Sequence, residues 1–159
     1  MSAHDFIDSV RQHFDALADS MLGSLQGDEA VTLNLSAEET LFVRFNANRV
    51  RQNTNVAQIT VAMQLQGAGR TTEMSRTLSG NLDTDKRAMQ QMLSCAREEL
   101  AVLPLDPHQV PIEDHGSSDE TFRGQLLAPD TVVDAVVGSA VGIDPVSYTH
   151  LTLPTSDLV

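Results

Sequence analysis

Hydrophobic positions along the chain change their period twice, and each change marks the start of a different kind of element. Phe6, Ile7, Val10, Phe14, Leu17, Ala18, Met21, Leu22 and Leu25 recur at steps of three and four, which predicts an amphipathic opening helix with Gly27 as its stop. From Ala30 the period falls to two. Val31, Leu33 and Leu35 alternate with Thr32, Asn34 and Ser36, and Leu41, Val43 and Phe45 follow after Ala37-Glu38-Glu39, a sequence read as a turn between two paired strands. Asn46-Ala47-Asn48 supplies turn chemistry. Ala57, Ile59, Val61, Met63 and Leu65 then alternate with polar neighbours in a long half-buried strand, which Gly67-Ala68-Gly69 closes as a hairpin turn. Residues 71–78 predict a further strand, polar on both faces and so suited to a sheet edge or to a place under a partner.

The helical period returns after Asn81. Ala88, Met89, Met92, Leu93, Ala96, Leu100 and Leu103 form one stripe, with Asp83 as the expected N-cap and Pro104 as the end. Residues 104–129 hold four prolines and a polar run, predicting an extended crossing segment, and Pro129-Asp130 opens a last helix over 131–141. The fold class expected is α+β: an antiparallel sheet of about four strands packed against two longer helices.

Length and charge narrow the function classes. At 159 residues one domain is the expectation, and a net charge of −12 repels phosphate backbones and anionic lipid alike, so nucleic acid and membrane are not expected partners. The first ten residues carry Asp5 and Asp8 where a signal peptide would be basic and then apolar, and the single cysteine, Cys95, cannot close an internal disulfide; both point to the cytoplasm.

The chemistry-bearing residues form no catalytic constellation. The histidines are His4, His13, His108, His115 and His150, none in a helical two-histidine frame, so no metal site assembles locally. His108 with Glu113-Asp114-His115 reads as part of a solvated acidic loop rather than a metal cluster. Cys95 reads as core filler in its helix, and Met63, Met74, Met89 and Met92 as core residues. Gly67 to Arg70 lacks the Lys-Ser/Thr of a phosphate loop, and GxSxG is absent. Catalytic and metal-binding residues are therefore expected to be none. One region stands apart: Arg44, Asn46, Asn48, Arg49, Arg51, Gln52, Asn53 and Asn55 make a locally basic, amide-rich cluster in an acidic chain. It reads either as an exposed edge or as the face met by a partner or an extended peptide.

The tail from Val146 to Thr155 has no period, and reverse-translated as GTC TCT TAT ACA CAT CTG ACG CTG CCG ACG it resembles a transposon-derived adapter used in preparing DNA libraries. Residues 146–159 are therefore expected to be a sequencing scar, with the natural frame interrupted near Pro145.

The order helix, strand, Phe45-Asn46-Ala47-Asn48-Arg49-Val50-Arg51-Gln52, alternating strand, Gly67 to Arg70 turn, short strand, long helix and Leu103-Pro104-Leu105-Asp106-Pro107 resembles the N-terminal domain of the TldD/PmbA metallopeptidases. The resemblance runs over residues 31–142, and Asn48, Arg49 and Gln52 are its most telling positions, as family signature or as peptide or partner contacts. It implies a domain over residues 1–145, and a missing C-terminal domain whose HExxxH helix and later cysteine bind zinc, the motif glutamate serving as general base. It also implies dimers, homo- or heteromeric, enclosing a cavity for small or unfolded peptides. Family members without the zinc motif serve as the non-catalytic half of a heterodimer. This chain alone would be inactive: either the front of a peptidase or of its partner subunit. An unrelated small binding domain, complete at Pro145, is the reading from a different class.

Overall fold

The computed structural model describes residues 3–46, 49–122, 124 and 127–139. The elements run α1 (Ala3–Leu22), β1 (Ala30–Asn46), β2 (Arg49–Gly67), β3 (Arg70–Thr77), α2 (Leu82–Val102) and α3 (Pro129–Ser139). The three strands form one sheet in the order β1-β2-β3, with β2 and β3 antiparallel. The α+β class and the edge position of β3 are as the periodicities predict. The fourth strand is not: 30–46 is one strand, and Ala37 to Thr40 contains no glycine, proline, asparagine, aspartate or serine to turn the backbone. The tail at 146–159, and Ala47 and Asn48 of the expected turn, lie outside the described residues.

The chain divides into two compact units, residues 1–37 with 58–117, and residues 38–57 with 118–158. The first unit holds the main core. Val61, Met63 and Leu65 alternate inward from β2 and are essentially without solvent exposure. They meet Leu17 and Met21 of α1 and Met89, Met92, Leu93, Ala96 and Leu100 of α2. Ten to twelve such side chains, each contributing about 1.5–3 kcal/mol on burial, supply the drive that holds the helices on the sheet. In the second unit, α3 starts with Thr131 donating to Ala128 O at 2.8 Å and buries Val132.

Helix ends follow local chemistry that the sequence only approximated. α1 ends at Leu22, where Gly23 N donates to Asp19 O at 3.0 Å and Ser24 N to Met21 O at 2.9 Å; Gly27, expected as the stop, sits beyond in a turn at φ +58°. The N-cap of α2 is Asn81 rather than Asp83, because the first helical residue is Leu82 and Asn81 Oδ1 takes Thr84 N–H at 3.0 Å. Asp83 instead lies in the first turn, where its charge favours the helix dipole. Cys95 is exposed, which corrects its reading as core filler. It lies roughly 110° around the helix from the centre of the buried stripe, at 100° per residue.

Two polar clamps tie distant segments to α2. Asp85 is buried, yet its carboxylate accepts from Ser79 N at 2.9 Å, Ser79 Oγ at 2.8 Å, Gly80 N at 3.0 Å and His13 Nε2 at 2.9 Å. A carboxylate only accepts, so the His13 proton sits on Nε2. Burial would raise the Asp85 carboxyl; the hydrogen bonds from Ser79, His13 and Gly80 outweigh it and hold the group below its ordinary range. Arg97 makes a two-pronged pair with Glu29, Nε to Oε1 at 2.8 Å and a terminal nitrogen to Oε2 at 2.8 Å, and the same nitrogen reaches Ser24 O at 2.7 Å. The hydrogen bond from Arg97 in turn holds Glu29 below the usual carboxylate range against the opposing effect of burial.

The β2–β3 hairpin turns through Ala68 (φ 50°) and Gly69 (φ 71°), the paired positive angles of a type I′ turn, and Asp28 Oδ2 accepts from Ala68 N at 3.0 Å. The segment after α2 is then stitched back onto this hairpin. Asp106 N donates to Gly69 O at 2.9 Å, Arg70 Nε to Leu103 O at 2.7 Å, and Gln109 Nε2 to Arg70 O at 2.8 Å. The buried Gln66 amide takes the place of a strand partner, with Nε2 donating to Val110 O at 2.9 Å and Oε1 accepting from Ile112 N at 3.1 Å.

Asp85→Asn cannot accept at both oxygens, so it is expected to cost about 1–3 kcal/mol in urea denaturation. A depressed folded value means that Asp85 stabilises fully above the ordinary carboxylate range, and that this contribution is lost as pH falls through the folded value. Denaturation across the acid range should therefore show a shallower loss of stability for the variant than for the natural chain. Gln66→Ala is expected to release residues 110–112, at a cost of about 1–2 kcal/mol, and to speed proteolytic nicking there, while cleavage within β2 stays slow.

Candidate functional site

The second unit contains the described members of the basic, amide-rich cluster. Between residues 49 and 58 every β2 side chain is exposed except Thr54, which is intermediate. Strand alternation places Arg49, Arg51, Asn53 and Asn55 on one face and Val50, Gln52, Thr54 and Val56 on the other. Arg49 and Gln52 are thus both exposed but on opposite faces, while Asn48 lies outside the described residues. Gln52 Nε2 donates to its neighbour Thr54 Oγ1 at 3.3 Å, and Asn55 Nδ2 to Glu39 Oε1 at 3.2 Å. Arg49 and Gln52 therefore do not converge on one point; they mark the two faces of one stretch of strand.

Sequence reading placed the start of β2 at Ala57, eight residues late. The overlooked signal is the pair Val50 and Val56, which share an even-numbered phase, whereas the apolar positions from Ala57 to Leu65 are odd-numbered. The strand continues through the change while its apolar side switches faces. β3 pairs with β2 only from Thr60 onward. Ile59 O is taken by Leu78 N at 2.8 Å, so the odd-numbered residues direct their backbone groups to the β3 side.

The first unit carries a polar groove of about 400 Å³, floored by Thr32, Gln64, Gln66 and Thr71 and walled by residues 106–115. Asp106 shapes its rim, accepting from His108 N at 2.9 Å. His108, Glu113 and His115 line it. Among the described residues, no three of His, Cys, Asp or Glu stand together as a metal-ligand set. The groove is lined with hydrogen-bonding groups, but Gln66 is already spent on holding residues 110 and 112.

His13, Asp85 and Ser79 bring three catalytic residue types together in an order that cannot activate a nucleophile. The aspartate sits between the other two, so Ser79 donates its proton to Asp85, not to His13. The cluster is a clamp. No helix among the described residues is long and apolar enough to cross a membrane.

No family model matches the sequence, and no curated protein matches it. By structure, the chain is similar to TldE from Thermococcus kodakarensis, known from a crystal structure, with a TM-score of 0.56 and 12% sequence identity. The match covers 84% of this chain and 28% of that one. At this identity the likeness is one of fold: the chain has a TldD/PmbA-like α+β fold and spans little more than a quarter of the length of the protein it matches.

Proposed function

We propose that this chain is the N-terminal scaffold and assembly domain of a zinc metallopeptidase of the TldD/PmbA type, acting on small or unfolded peptides in the cytoplasm. The observation that carries the reading is the fold likeness to TldE, which takes in most of this chain but only 28% of the longer protein. Two clamps and a shared core that hold α1 and α2 on the sheet support the scaffold part of the reading. In this reading the catalytic domain, with its zinc, lies beyond Pro145, residues 146–159 are an adapter scar, and the chain assembles as a homo- or heterodimer with a related subunit. Arg49 and Gln52, with Asn48, then contact a peptide or that partner.

The test is the DNA sequence downstream of the Pro145 codon in the source. An open frame leading into a helix with HExxxH is the expected result. A frame that continues without that motif transfers the chain to a non-catalytic partner subunit. A genuine stop after Val159 overturns both and leaves a small binding domain.

A further inference from the structure

We infer that the β3-side edge of β2 at residues 49–57 is a strand-addition site for an extended, acidic peptide segment. The inference rests on the contact role proposed above for this stretch, and does not depend on the zinc domain.

Three observations meet at this edge. First, β3 ends opposite Thr60, so from residue 57 back to 49 β2 has no strand on that side among the described residues. Continuing the alternation fixed by the bond at Ile59, the N–H and C=O groups of Arg49, Arg51, Asn53, Asn55 and Ala57 point outward along it. A row of unpaired backbone groups is a template that only another extended backbone satisfies. Second, the stretch 44–55 contains three arginines and no carboxylate, in a chain of net charge −12. Arg44, Arg49 and Arg51 are exposed and have no ion-pair partner among the described residues, in contrast to Arg97 on Glu29. Guanidinium groups left open in this way select carboxylates. Third, the side chains beside the edge are arginines and amides on one face and Val50, Gln52, Thr54 and Val56 on the other, so an added strand meets guanidinium and amide groups on one side and a mixed surface of two valines, a glutamine and a threonine on the other.

The occupant follows from charge. A second copy of the same edge would double the arginines with no carboxylate between them, which is repulsive. A long polyanion such as nucleic acid brings its charge against an otherwise strongly acidic chain. A short acidic segment avoids both costs.

The experiment uses the full chain and fluorescence anisotropy of a labelled peptide of alternating Glu and Thr, with a Lys-Thr peptide and a single-stranded DNA oligonucleotide of similar length as comparisons. Asn53→Pro removes one N–H on the open edge and leaves the β1 side intact, so folding is retained and checked by thermal melting. Binding of the acidic peptide alone, weakened about tenfold in Asn53→Pro and about fivefold in Arg49→Ala/Arg51→Ala, with a smaller salt dependence in the latter, is the expected result. Full binding by the proline variant with loss in the arginine variant overturns edge pairing while leaving a contact face in place. Equal binding of the oligonucleotide overturns the choice of an acidic peptide, and no peptide binding at all overturns both the inference and the contact role, whatever the downstream frame encodes.

Discussion

The inward alternation of Val61, Met63 and Leu65 is the constraint on which the rest of the structure depends. These three residues take the core face of β2, so the even-numbered positions between them must face away. Gln64 and Gln66 are thereby delivered to the opposite surface, where they floor the groove and where Gln66 pairs with residues 110 and 112. On the core face, α1 and α2 have to be held at the height of those three side chains. Asp85 does part of this by gathering His13 from α1 and the Ser79-Gly80 turn at one carboxylate, and the Arg97–Glu29 pair does the same nearer the other end of α2. Burying a charge is costly unless every lone pair is used; four donors on Asp85 meet that condition.

The same strand has a second identity beyond that core. Residues 49–57 are exposed on both faces apart from Thr54, and β3 is too short to reach them, so among the described residues no strand pairs with the β3-side edge of this stretch. Natural sheets commonly blunt such an edge with charge, and arginines are one device for doing so. Here the charges within residues 44–55 are of one sign, against the sign of the chain as a whole, and the three arginines make no ion pair among the described residues. On the inference above, that combination disfavours the pairing of two copies of this edge.

Much of the architecture was legible because burial imposes period. The helices over 3–22 and 82–102 and the core half of β2 carry one-sided apolar patterns that burial against one core enforces. The failures are equally physical. The polarity of Ala37-Glu38-Glu39 predicts a turn, but the segment holds none of the residues that most favour one, and the strand runs straight through. Cys95 was assigned by residue type, whereas its angle around the helix decides its exposure. The start of β2 was hidden because a ribbon exposed on both faces has no buried side to set a period, and only Val50 and Val56 keep a trace of one. The clamps were out of reach for a different reason: His13 and Asp85 are 72 residues apart, and no local pattern announces that pairing.

Amide hydrogen exchange of the unliganded chain, resolved residue by residue along β2, tests the central claim most directly. The account requires slow exchange at Val61, Met63 and Leu65, and at Val50, Gln52 and Thr54, whose N–H groups face β1, with fast exchange at Arg49, Arg51, Asn53 and Asn55 on the open edge. Uniform protection from 49 to 65 would contradict it, because the edge would then already be paired.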